Sequence, residues 1–246
     1  MKLLSFLIFP LTLALLPTLV QANDAINVAT YIEPPFADKV NGKFVGRNIR
    51  LSKLIAKKLN KKVNFITCPM ARCILMMQSG QADMIVSVLK TDEREEILTY
   101  IEPGINFQKQ PISFFTLHTN KVEINSFEDL KSLIIGQVRG ARYFEKFDNN
   151  NELTKVKITT RSQMIKMLLK GRIDVFIARE ESIRPLIDKY NYQKLRIAQY
   201  QYLTPVTGYI AISKNSYLQQ DIQKFSSIIK QIKDSGELDK VYYKKL

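Results

Sequence analysis

The reactive side chains of this 246-residue sequence are few, and the common catalytic sets are missing. There is a single histidine, His118, and no Ser-His-Asp set forms around it. Cys68 and Cys73 are the only cysteines, set five apart in Cys68-Pro69-Met70-Ala71-Arg72-Cys73. With His118 far along the chain they make a poor zinc set. The spacing also departs from the Cys-x-x-Cys of a redox pair. A disulfide closing a very small loop and a pair of buried thiols both stand, and the compartment decides between them. The carboxylates available for proton transfer are Glu33 and Glu180. For an anion, the candidates are Arg72, Arg94, Arg142 and Arg179, since a planar guanidinium grips a carboxylate with two parallel hydrogen bonds. The bland alternative for Arg94 is a solvated first-turn residue in the charged run Asp92 to Glu96; for the others it is a solvated surface.

Helices and strands alternate around these residues. Ile26 to Thr30 reads as a strand, and Asn48 as the cap of a helix with Leu51, Leu54, Ile55 and Leu59 on its apolar face. A strand from Val63 to Thr67 and a helix around Arg72 to Ser79 follow, the helix stopping at Gly80. Asp83 to Leu89, Leu133 to Val138 and Ile173 to Ala178 are nearly continuous apolar runs, the pattern of buried parallel strands. Ser126 to Asp129 opens another helix, and Ser162 to Lys170 is helical up to Gly171. Leu218, Ile222, Phe225, Ile229 and Ile232 form one helical stripe stopped by Gly236. The alternation predicts parallel sheets covered by helices. One unit recurs: helix, Gly80-x-x-Asp83, strand; then helix, Gly171-x-x-Asp174, strand. A repeat of that length predicts two similar lobes and not a solenoid. Ligands of such sheets sit beyond the carboxyl ends of the strands. The first lobe offers Ser87 and Thr91 to Arg94 there; the second offers Gly140 to Tyr143 and Arg179-Glu180.

Composition narrows the partners. The formal charge is +14, from 37 basic and 23 acidic residues, but the basic residues fall singly and in pairs such as Lys57-Lys58, with no run of five. That is a diffusely basic surface; with no basic helix or aromatic platform, nucleic acid is not expected as a partner. Lys2, the apolar stretch Leu3 to Val20 and the pattern Val20-Gln21-Ala22 read as a secretory signal peptide cleaved after Ala22, with an uncleaved anchor as the alternative. The mature chain is then expected to be a soluble periplasmic protein.

Taken in order, Pro35-Phe36, Val45-Gly46 before a helix, Gly80-x-x-Asp83, Thr91-x-x-Arg94, Phe127-x-Asp129-Leu130, Val138-x-Gly140, Gly171-x-x-Asp174 and the closing Lys233-Asp234-Ser235-Gly236-Glu237-Leu238 resemble the family 3 extracellular solute-binding proteins, the amino-acid-binding components of ABC transporters. The resemblance implies a two-lobed periplasmic-binding-protein fold of type II. Two parallel-rich α/β sheets would be joined by two crossing strands near Ser113 to Thr116 and Thr207 to Ile210. Residues 23–112 and 208–246 would form one lobe and residues 113–207 the inserted second. It implies a monomer that closes on a small-molecule ligand without a cofactor or metal, with ABC transporter membrane subunits or a separate receptor as partner. Arg94 matches the arginine that holds the ligand's α-carboxylate, with Ser87, Thr91, Glu33, Phe36, Arg72, Gly140, Arg142, Arg179 and Glu180 around it. Several positions depart from the pattern. Arg47-Asn48-Ile49-Arg50 replaces an aromatic followed by acids. Gly140-Ala141 replaces Gly-Thr. Glu33 stands at the aromatic lid position. Arg179 stands where an acid would hold an ammonium, with Glu180 one place later. The carboxylate half of an amino-acid site is kept and the ammonium half altered, so a ligand with more than one anionic group is expected unless Glu180 turns inward. An enzyme on the same scaffold, resembling cyclohexadienyl dehydratase, is the alternative; it would need Glu33 or Glu180 as its acid or base.

Overall fold

The structure, a computed structural model, describes residues 24–108, 110–120, 122–203 and 206–243. The stretch read from the sequence as a signal peptide, residues 1–22, lies outside them. The first lobe opens with β1 (Ala25–Thr30), the hairpin β2 (Asp38–Val40) and β3 (Lys43–Val45), and α1 (Arg47–Lys58). β4 (Lys62–Thr67), α2 (Met70–Gln78), β5 (Met84–Leu89), α3 (Asp92–Glu95) and the long β6 (Leu98–Gln108) follow. The second lobe holds β7 (Ile112–Leu117), a 3-10 turn (Glu128–Ser132), β8 (Ile134–Val138), α4 (Glu145–Asp148), β9 (Thr154–Ile158), α5 (Arg161–Leu169), β10 (Val175–Arg179), α6 (Glu180–Tyr190) and β11 (Leu195–Tyr202). The chain then returns to the first lobe with β12 (Val206–Ser213), a second 3-10 turn (Tyr217–Asp221), α7 (Ile222–Asp234) and α8 (Glu237–Tyr243).

Each lobe has a five-stranded sheet, in the orders β4-β1-β5-β12-β6 and β11-β7-β10-β8-β9. Both are mixed, with three parallel strands in each and antiparallel partners added. β4, β1 and β5 run parallel, as do β10, β8 and β9. The strands next to the crossings, β12 and β7, pair antiparallel with both neighbours. Turning back toward the other lobe reverses the strand, and the alternation of helix and strand gives no sign of it.

The core of the first lobe draws on both arms of the chain: Ile26, Leu51 and Ile55 pack with Ile210, Phe225 and Ile229. The second lobe packs Phe114, Phe147 and Val175 on one side of its sheet; Phe115, Ile165, Leu168 and Phe176 form a separate cluster. Each such side chain contributes about 1.5–3 kcal/mol on burial. α1 is capped by Gly46 and not by Asn48, whose backbone N–H donates to Phe36 O at 2.8 Å from inside the helix. Gly46 has φ +115, and a Cβ there would lie 2.4 Å from Phe36 O, so a side-chain cap has no room. The helix expected from Ser126 is the short 3-10 turn, and α6 has no counterpart in the sequence reading.

The two Gly-x-x-Asp units fold into matching corners. Asp83 N–H donates to Asn27 O at 2.8 Å while its Oδ2 accepts from Asn27 N–H at 2.8 Å. Asp174 does the same with Ile134, at 2.9 and 2.7 Å. The glycines before them, Gly80 and Gly171, have positive φ and end α2 and α5. Cys68 and Cys73 are disulfide-bonded with Cα atoms 5.3 Å apart, and both sulfurs are buried against Met77 and Ile85 at the start of α2.

Candidate ligand-binding cleft

The strand ends of the two lobes meet around a cavity of about 110 Å³. Tyr31, Glu33, Phe36, Ser87, Leu89 and Arg94 line it from the first lobe; Ala141, Arg142, Tyr143, Arg161 and Arg179 line it from the second.

Arg94 is held in place by local structure. Thr91 caps α3, its Oγ1 accepting from Arg94 N–H at 3.3 Å, so the helix starts where Arg94 can turn back under the cleft. The side chain is only 5% exposed. One Nη donates to Leu89 O at 2.9 Å, and the other reaches across to Gly140 O in the second lobe at 2.8 Å. Burial pulls its pKa below the ordinary arginine value, and the nearby Arg142 adds to the shift. Ser87 sits at a β-bulge: β12 pairs Tyr209 with Val88 and Ile210 with Val86, leaving Ser87 unmatched with φ +64. A non-glycine residue in the left-handed region within a strand is a mark of sites where a side chain is re-aimed.

The lobes touch closely at Gly140. Its φ is +80, and a Cβ would fall 2.7 Å from Ala71 Cα. Around that contact run charged ties between lobes. Arg142 pairs with Glu93, and Arg47 with Glu181. Arg161 donates to Tyr31 Oη at 3.0 Å and pairs with Glu33 Oε1 at 2.6 Å. Ser182 Oγ donates to the same Glu33 oxygen at 2.6 Å. Burial alone would lower the Arg161 pKa, but Glu33, Tyr31 and Tyr143 together outweigh it and hold it above the ordinary value. Arg179 donates to Gln110 O at 2.8 Å. Its pKa is pushed down to about 10, chiefly by burial, with Glu33 and Glu181 opposing and Arg161 assisting.

Of the residues singled out in the sequence, Glu33, Phe36, Ser87, Arg94, Arg142 and Arg179 line one cavity, and Gly140 joins them through its carbonyl. Three do not. Thr91 is spent on capping α3. Arg72 is exposed on α2 and donates to Gln81 at 3.2 Å. Glu180 pairs with Arg184 one helical turn on and is outside the lining. Arg161, Ser182 and the direct role of Tyr31 were not read from the sequence. Arg161 opens α5 right after β9, at the carboxyl end of a parallel strand. Recognising β9 as a strand would have pointed to it. Among the described residues no group of three His, Cys, Asp or Glu side chains could hold a metal ion, and no helix is long and apolar enough to cross a membrane.

The chain belongs to the bacterial extracellular solute-binding proteins, family 3, whose model matches residues 26–245. A probable amino-acid-binding protein, YxeM of Bacillus subtilis (strain 168), is 26% identical over 147 residues, 58% of this chain and 54% of that relative, so the match spans about half of the relative's length. An ancestral arginine-binding protein bound to arginine has a TM-score of 0.76 at 26% identity, covering 90% of this chain and 97% of that one. An amino acid ABC transporter substrate-binding protein, AbpA from Streptococcus pneumoniae Canada MDR_19A bound to L-arginine, has a TM-score of 0.74 at 23% identity, covering 89% and 93%. The fold is that of the two-lobed, type II periplasmic binding proteins.

Proposed function

We propose that the chain is exported, cleaved after Ala22, and captures a small carboxylate-bearing solute by closing its lobes, for delivery to the membrane subunits of an ABC transporter. The observation that carries this reading is Arg94: a nearly fully buried guanidinium at the floor of an interlobe cavity, donating to neutral carbonyls from both lobes. A carboxylate meeting the remaining N–H groups of that guanidinium adds charge-assisted bonds, which a neutral carbonyl does not give. Because Gly140 belongs to the other lobe, a ligand bound to Arg94 is positioned to bind closed lobes better than open ones, which is what drives a hinge. The amino-acid-binding relatives agree with a carboxylate as the common element.

The test is calorimetric titration of the mature protein with a panel of amino and organic acids, alongside Arg94→Ala. A carboxylate should bind, and the variant should lose about 2–5 kcal/mol of its affinity. Small-angle scattering should show a smaller radius of gyration with ligand. Binding that survives in Arg94→Ala, or a ligand that leaves the radius unchanged, would sink the reading.

A further inference from the structure

The charges facing the cavity are unequal. Among its lining residues Glu33 is the one acid, while Arg94, Arg142, Arg161 and Arg179 are cations. Arg142 is paired with Glu93 and Arg161 with Glu33. Arg94 and Arg179 have carbonyl oxygens instead, from Leu89, Gly140 and Gln110. A carbonyl satisfies a donor without neutralising the charge behind it; Glu33 and Glu181 act on Arg179 electrostatically while bonded to other partners, and a charge so weakly answered in a partly dry cleft is costly. The Nε of Arg161 is also buried without a partner. That is an orphan donor in the wall that carries Arg179.

We infer that the ligand is a small acid with two anionic groups and no free ammonium. One anionic group meets Arg94 in the first lobe, and the other meets Arg161 and Arg179 in the second. The inference rests on the reading of Arg94 as a carboxylate anchor and adds the second group. An ammonium has poor prospects on the second-lobe side. Glu180 and Glu181 are taken by Arg184 and Arg47. Glu33 Oε1 already accepts from Arg161 and Ser182. An ammonium at Glu33 Oε2 would stand beside Arg161, like charge against like charge. A zwitterion leaves the two carbonyl-bound arginines half answered; a dianion answers both.

The experiment is calorimetric titration of the mature protein with dianionic probes (succinate, glutarate and malonate), with L-glutamate, L-glutamine and L-arginine, and with butyrate as a single carboxylate. A dianionic probe should bind at least about tenfold tighter than any amino acid, as expected for one added buried charge contact. Arg179→Gln should erase that margin, weakening the dianions far more than it weakens butyrate. Arg179→Lys, which keeps the charge, should retain most of the margin and guards against a mere folding defect. If glutamine or arginine binds tightest, and Glu33→Gln abolishes that binding, the inference is overturned while the Arg94 anchor survives. If no probe binds in an Arg94-dependent way, both fall.

Discussion

Asp83 and Asp174 stand at the same corner of the two lobes and make the same two-point contact with the first parallel strand of each sheet. They differ in what else they hold. Asp83 is 4% exposed and also accepts from Ser216 Oγ at 2.7 Å, which ties the segment after β12 to the start of the lobe. Asp174 is half-buried; among the described residues its carboxylate takes no second hydroxyl, and the further bond at this corner goes to its backbone carbonyl, from Thr116 Oγ1 at 3.2 Å. The strands they introduce diverge further. β5 carries the bulged Ser87 into the cleft, and β10 ends in Arg179. The corner is a framework device that two lobes can share; the side chain presented a few residues later is free to change without disturbing it. Framework and site are therefore separable in this fold, even within one run of residues.

The sharpest way to break the comparison is at the corners. Asp83→Ala orphans a backbone N–H and a buried hydroxyl and should cost about 3–4 kcal/mol, against about 1–2 kcal/mol for Asp174→Ala. Urea unfolding of the two variants measures this, and equal midpoints would show that the extra tether is idle. Next in size is the disulfide, which only the first lobe has. Closing so short a loop removes modest chain entropy, so Cys68→Ser with Cys73→Ser should cost about 2 kcal/mol. Thiol labelling of the denatured, unreduced protein should find no free cysteine; two labels per chain would refute the bridge.

A smaller effect separates two glycines of the second lobe. Gly140→Ala and Gly171→Ala each force a side chain into the left-handed region, at about 1 kcal/mol of stability. Gly171 has open space around it, while Gly140 abuts Ala71. Only Gly140→Ala should also weaken ligand binding, because it holds the lobes apart. Matching affinities for the two variants would show that this contact does not govern closure. The smallest effect is on pH. The folded pKa of Arg179, about 10, lies below its ordinary value because of burial. The stability linked to it is thus present above the ordinary arginine value and lost as pH falls through about 10. Anion affinity runs the other way and should fall several-fold as pH rises through about 10. Arg179→Gln should flatten that part of the profile relative to the parent protein; identical slopes would remove Arg179 from the site.

What the sequence revealed follows the same division. The Gly-x-x-Asp corners and the buried strands after them were legible because a left-handed glycine and a backbone-binding carboxylate are local chemistry. Arg94 was singled out through the ordered resemblance around it, and it lies in the cavity lining. The antiparallel β7 and β12 were not, since direction depends on which lobe the chain is entering. Nor was α6, with Pro185 in its middle and no side-chain cap. Asn48 misled because it has the residue type of a cap, while the close approach of Phe36 O demands Gly46 there. Glu180 misled in another way. Its place in the sequence suited the cleft, but Arg184 one helical turn on turns it elsewhere.

The position of β12 has a kinetic consequence. It lies between β5 and β6, so the first sheet stays in two pieces until Val206–Ser213 has been made. The second sheet needs only the continuous run from Ile112 to Tyr202. A chain emerging from its amino end can therefore finish the second lobe while β5 still shows a bare edge, a template for wrong pairing. Closing the first sheet is a long-range event and the slower one by topology. In pulse-labelled hydrogen exchange during refolding, amides of β8 and β10 should gain protection before those of β5, and the late-forming edge marks where a chaperone would have most to guard.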